Sequence, residues 1–284
     1  MCVTLICSQL EKYVLSFSFN AFRPSTTLIR RIHMENQEAN TPSEPGLSLG
    51  SRITNVFASP SEAFVGIPSM ESKTSLWLWP WLVTVVLLVI FTFVMFSNEA
   101  LRQQIMEVQT KAMEQRVASG QMTQQQADQA QAGMERMGGF MSAIAAVGVV
   151  VVTTIYFFAG ALIFWLVGKF ALKSTEGYGT YLGMYGVSAW IGVLGALISI
   201  LMILGIGSLY ATPSAALAVF SNFDPMNTTH RILSKLDVFA AWQAVVLGIG
   251  LGKMTGKSSG TTIGISVGMW IVWALGTGFF KIGG

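Results

Sequence analysis

The stretch "GLGKMTGKSSGTTIG", residues 250–264, carries the residue types of a phosphate-binding loop. Such a loop is spelled G-x-x-x-x-G-K-[ST]: backbone N–H groups wrap the phosphates, the lysine reaches their terminal oxygens and the hydroxyl holds magnesium. Gly256, Lys257 and Ser258 supply the end of that pattern, but its leading glycine falls on Leu251. No acid follows within 261–280 to hold magnesium, as a Walker-B residue would. Nucleotide binding is therefore not expected, and Lys253 and Lys257 read as loop charges at a membrane surface.

Other chemistry is equally sparse. The histidines, His33 and His230, have no metal-ligand pattern around them, and H-E-x-x-H does not occur. Both cysteines, Cys2 and Cys7, lie at the extreme N-terminus, so neither a disulfide framework nor a thiolate metal site is expected further on. Hydroxyls in the apolar segments, such as Thr84, Thr153, Ser188 and Ser199, read as donors to a preceding carbonyl rather than as nucleophiles. Asp237 is the acid nearest to an apolar segment, with Trp242 and Gln243 about a turn or more further in. At a helix N-terminus it complements the positive dipole end; an ion-coupling or binding role is the alternative. Asn227, Thr228 and Thr229 match a glycosylation sequon, which has meaning only in a lumenal eukaryotic loop. No catalytic, cofactor-binding or metal-binding residue is assigned from the sequence, and no cofactor is expected.

The elements that carry these residues are membrane elements. Of 284 residues, 52% are hydrophobic and 11% charged, and long runs lack any ionisable group. About 20 apolar residues cross the hydrocarbon core. The runs predict an all-α polytopic membrane protein with five spans, at about 75–96, 141–167, 179–204, 236–252 and 261–280. The net charge of +3 is spread along the chain without basic residues interleaved with aromatics, so nucleic acid is not an expected partner.

Residues 1–50 read as a disordered tail, with translation starting naturally at Met34 and 1–33 a mis-assigned start, followed by a membrane domain over 51–284. In "SRITNVFASPSEAFVGIPS", Ser59 is expected as a helix N-cap, Pro60 at the first helical position and Glu62 as the partner in a capping box. With Ile53, Val56 and Phe57 before them and Phe64, Val65 and Ile67 after, they predict apolar-faced turns lying on the bilayer before span one. A surface element packed on protein is the alternative. Trp77, Trp79 and Trp81 mark the membrane boundary. Residues 97–139 predict a helical hairpin outside the bilayer. One face is Leu101, Ile105, Val108 and Ala112, Gly120 is a C-cap, Thr123 and Gln126 form a capping box, and the second helix is expected to dock on the first. Thr212 before Pro213 signals a further capped helix at the interface. Gly256, Gly260, Gly264 and Gly268 recur every four residues, and Gly192 with Ala196 and Gly195 with Ser199 add small-residue pairs, the pattern of closely packed membrane helices.

An odd number of spans puts the ends on opposite sides. An inside N-terminus groups Lys73, Lys169, Lys173, Lys253 and Lys257 there, against Arg102, Lys111, Arg116, Arg136, Arg231, Lys235 and Lys281 on the other side, so charge alone leaves orientation open.

Three stretches taken in order, "ITNVFASPSEAF", "WLWPWL" and "LDVFAAWQAVVLGIGLGKMTGKSSG", resemble the Yip domain family of Ypt/Rab-interacting membrane proteins (Yip-one type), in its bacterial-type branch. The resemblance covers about Ser51 to Phe280, with Asp237, Phe239, Trp242, Gly250 and Gly252 at the family's recurring positions. It implies five spans, a cytosolic N-terminus and a short C-terminus outside. Eukaryotic relatives act with Rab-type GTPases in vesicle trafficking and membrane shaping, whereas for bacterial-type members the resemblance implies no defined biochemical activity. The expected role is a non-enzymatic membrane-organising or partner-binding scaffold. The D-L-Y-G-P motif of eukaryotic members is missing, so small GTPase binding is not expected. The expected partners are the lipid bilayer and membrane or peripheral proteins, a second copy included. The expected location is a bacterial cytoplasmic membrane, or a Golgi- or ER-type membrane in a eukaryote. A small transporter or channel, using Asp237 and the glycine-rich spans three and five, is the rival from another class.

Overall fold

A computed structural model describes residues 47–137 and 140–280. The expected disordered tail and its start at Met34 fall on residues 1–46, outside the described part, as does Lys281. Among the described residues the architecture is all-α, and five helices are long and apolar enough to cross a membrane. These spans are Thr74–Ser97, Phe140–Ala171, Tyr178–Ile206, Val238–Thr255 and Ser259–Phe279.

Before them come α1 (Leu49–Ala58) and the single turn α2 (Pro60–Ala63). The helix begins where the tail was expected to run on, because the Ser48 hydroxyl caps it, accepting from the N–H of Ser51 at 3.1 Å. The capping box expected at Ser59 does not form. Ser59 makes no side-chain cap, and the N–H of Glu62 donates instead to the Ser59 carbonyl. Pro60 does occupy the first position of α2.

The apolar face of this pair meets protein rather than lipid. Val56, Ala63, Phe64 and Ile67 are fully buried in one core with Leu76, Tyr181, Met184, Ile191, Val246 and Leu251. Thus α1–α2 are packed into the bundle, and the surface-element reading describes them better than the bilayer one.

The spans follow as α3 (Thr74–Ser97), α6 (Phe140–Leu166, continued by a π-helical turn Val167–Ala171), α7 (Tyr178–Ile206), α9 (Val238–Thr255) and α10 (Ser259–Phe279). Between α3 and α6 stand α4 (Glu99–Ala118) and α5 (Gln124–Met137). Between α7 and α9 stand a 3-10 helix (Ala215–Asn222) and α8 (Thr228–Lys235). Spans one, two and three pack mutually, span four lies against span three, and span five against span four. Pro80 lies inside α3 and has no N–H for the Leu76 carbonyl four residues back. That carbonyl is approached by span three at Gly186, where a Cβ would stand 2.4 Å from it and 2.5 Å from the Trp77 Cα. Only a residue without a side chain fits there. Outward faces are apolar, as lipid requires: Val147, Val151, Ile155 and Val272 are all at least half exposed.

The extramembrane hairpin has the expected caps. Gly120 takes the left-handed conformation at φ 72°, and Thr123 and Gln126 bond reciprocally, Gln126 Oε1 accepting the Thr123 N–H at 2.9 Å. Its first helix, α4, is also tied to the segment after span three. The Gln104 amide donates to the Gly207 carbonyl at 2.8 Å and accepts from the Leu209 N–H at 3.1 Å. The helix expected from Thr212 is capped one residue past Pro213 instead, by Ser214, whose hydroxyl accepts from Ala216. Span four also runs past Gly252 to Thr255.

Candidate functional site

Asp237 is the N-cap of span four. One carboxylate oxygen accepts the N–H groups of Phe239 at 2.8 Å and Ala240 at 2.9 Å, the arrangement that an acid at a positive helix end favours. The backbone holds it there: Val238 N–H donates to the Pro213 carbonyl and Ala215 N–H to the Leu236 carbonyl, both at 3.0 Å. The acid thus fixes where the chain turns into the membrane.

Trp242, the next singled-out residue along the helix, meets Phe57 of α1 edge to face at 5.5 Å. The tip formed by Phe57, Ser59, Pro60 and Glu62 is thereby brought to the same helix as Asp237, which the sequence separation hides. From there the contacts run toward the C-terminal end of span four and on to the start of span three. Phe64 lies by Gly250 and Met184, and Ile67 and Lys73 lie by Gly183, close to the start of span three. Ser59 and Glu62 are exposed at the turn. The hairpin is held shut by Arg52, buried to 1% exposure, which donates to the Ala63 carbonyl at 2.7 Å and reaches Met70 Sδ at 3.6 Å. Among the described residues no carboxylate bonds it, and burial pushes its guanidinium below the usual arginine range.

The glycines divide differently from their spacing. Gly260, Gly264 and Gly268 have open space where a Cβ would stand, so among the described residues no helix packs on that face. Close approach occurs elsewhere: a Cβ on Gly248 would stand 2.4 Å from the Ile263 Cα, and one on Gly195 2.7 Å from Phe239. Gly256 is the left-handed cap of span four at φ 66°, and the Ser258 hydroxyl caps span five, accepting from Thr261 at 3.4 Å. The residues that resembled a phosphate loop therefore form a turn between two spans.

Sequence reasoning missed Arg231. It is buried on α8 and donates to the carbonyls of Gly278 at 3.0 Å, Met226 at 2.8 Å and Pro225 at 3.3 Å, with Thr228 and Phe279 at its other nitrogen. Gly278 and Phe279 are the last residues of span five, where the helix presents its negative end. Its only trace in the sequence is a charge on a helix whose neighbours are amphipathic. Asn227, the sequon residue, caps this helix by accepting from Thr229 and His230. Hydroxyls inside the spans donate to carbonyls one turn back, as in Thr84 to Pro80 and Ser199 to Gly195. Ser266 differs, crossing to the Ala244 carbonyl of span four at 2.6 Å. Among the described residues no three His, Cys, Asp or Glu stand together to hold a metal ion.

The polar groups near the spans thus serve as caps, clamps and cross-helix ties. Compared with known protein families, the chain matches the sequence profile of the Yip1 domain over residues 54–280. No curated protein and no solved structure matches it.

Proposed function

This chain belongs to the Yip1 domain family of multi-span membrane proteins, and from that membership we propose that it is a non-enzymatic scaffold that binds a membrane or peripheral protein partner. The observation that carries the reading is the use made of its ionisable groups around the spans. Asp237 starts span four, Arg231 ends span five and Arg52 closes the α1–α2 hairpin, each bonded to backbone. Groups bound in this way hold a shape and leave the exposed ends of the bundle as the surface for recognition. The N-terminus faces the cytosol in this reading, with Lys169, Lys173, Lys253 and Lys257 exposed on the same side. A bacterial cytoplasmic membrane is the proposed location.

Photo-crosslinkers at Lys173 and Lys257, exposed at one end of the bundle, test the proposal in intact membranes. A discrete adduct identified by mass spectrometry, together with proteoliposomes that conduct no ion or solute flux, is the expected result. Flux by the wild type that is lost on Asp237→Asn, without any adduct, overturns it in favour of a transporter.

A further inference from the structure

Where α4 meets the segment after span three there is a cavity of about 240 Å³, lined by Glu107, Lys111, Ser208, Tyr210, Ser221 and Phe223 among others. We propose that this cavity binds a phosphoethanolamine group, the zwitterionic headgroup of an aminophospholipid in the adjoining leaflet.

Its walls are fixed. Gln104 pins α4 to Gly207 and Leu209 through both ends of its amide. Tyr210 and Phe223 stack at 4.2 Å with 24° between their planes, and His230 lies against Phe223 at 5.6 Å. His230 Nδ1 in turn accepts the Asp224 N–H at 3.0 Å, which ties the loop to α8.

Charge selects the class of ligand. Lys111 Nζ stands 2.7 Å from Glu107 Oε1, and both side chains are about half exposed, so each keeps free hydrogen-bonding capacity toward the cavity. The Glu107 bond, and the more distant Asp224 charge, push the Lys111 ammonium above its usual range and keep it a cation. Burial foremost, then Glu107, pushes the Tyr210 hydroxyl up, so it remains a neutral donor. A bare anion would meet the Glu107 carboxylate beside Lys111, and a bare cation would meet Lys111. A ligand carrying ammonium and phosphodiester together has a partner for each charge. Lys111 and the Tyr210, Ser208 and Ser221 hydroxyls suit the phosphate, while Glu107 suits the ammonium. The two rings stack on one another rather than opening faces around a cation, so the wall favours a primary amine that donates hydrogen bonds over a quaternary one.

Depth selects the source. Spans one and three end at Ser97 and Ile206, and the cavity begins just beyond, at Gln104 and Ser208. Leu217 and Phe220 on the adjacent 3-10 helix are 38% and 39% exposed, an apolar apron on which a glycerol backbone and acyl chains can lie.

The test uses the full chain purified in detergent, with phosphatidylethanolamine, phosphatidylcholine or phosphatidylglycerol added and lipid retention read by native mass spectrometry. Lys111→Gln and Glu107→Gln change exposed side chains and leave the fold intact, which melting temperature checks. The expected result is preferential retention of phosphatidylethanolamine by the wild type and about tenfold weaker retention by each variant. Soluble glycerophosphoethanolamine separates the sources. If it displaces the lipid, the headgroup chemistry suffices; if the lipid stays bound, the acyl chains belong to the ligand. Equal retention of all three lipids, or retention unchanged in both variants, overturns the proposal.

Discussion

A membrane helix that ends at the bilayer surface leaves its last carbonyls without donors, and Arg231 collects two of them at the end of span five. The same guanidinium holds the Pro225 and Met226 carbonyls, so one side chain joins the loop, α8 and the last span. A hydrogen bond to a charged donor contributes about 1.5–3 kcal/mol, and removing the donor strands buried acceptors. Arg231→Met is therefore expected to destabilise the protein by about 2–4 kcal/mol. Arg231→Lys should fall between the two, since an ammonium has three donors and no planar fork. Chemical denaturation in detergent measures both; a Met variant as stable as wild type would show that these bonds hold nothing. Arg52 is the matching residue at the other side. Neither was legible in the sequence, because a lone arginine on a short amphipathic helix has the same spelling whether it faces water or a cluster of carbonyls.

At the scale of elements, the contact between spans one and three depends on a pair of imperfections. Pro80 removes the donor that the Leu76 carbonyl would have had, and Gly186 lets span three come against it. Gly186→Ala places a methyl group 2.4 Å from that oxygen, against backbone that has no flexible end to yield. Overpacking of this kind costs about 1–3 kcal/mol. Gly264→Ala, on the same type of helix but with nothing within 4 Å, is expected to change stability by no more than about 0.5 kcal/mol. Melting temperatures of the two variants compare them directly, and equal effects would contradict the packing described. The four-residue spacing of Gly256, Gly260, Gly264 and Gly268 pointed to the other choice. Spacing reveals that small residues share a helix face, but which face meets a neighbour depends on the rotation of the helix in the bundle.

For the whole molecule, the proposed topology puts the loop near Lys173 and the α4–α5 hairpin on opposite sides of the bilayer, because span two lies between them. With Cys2 and Cys7 replaced, single cysteines at Thr175 and Gln121, both exposed, report the two sides. A membrane-impermeant thiol reagent applied to intact cells is expected to label Gln121→Cys at once and Thr175→Cys only after permeabilisation. The reverse pattern would invert the proposed orientation. The bundle itself is asymmetric: its side by Thr175 also receives the α1–α2 hairpin, while the other carries α4, α5, the 3-10 helix and α8.

The sequence by itself determined the solvent, the five spans to within a few residues and the family. Hydrocarbon imposes a requirement on each apolar run separately, and length and charge answer it locally. It also determined Gly120, the Thr123–Gln126 box and the N-cap position of Asp237, since caps are read over three or four residues. Only the tertiary structure decided that Phe57 reaches Trp242, that Ser59 leaves its cap unmade, that α4 docks through Gln104 and that Arg231 grips span five. These contacts join residues far apart in the chain, and an apolar or charged residue spells the same whether lipid, water or another helix lies against it.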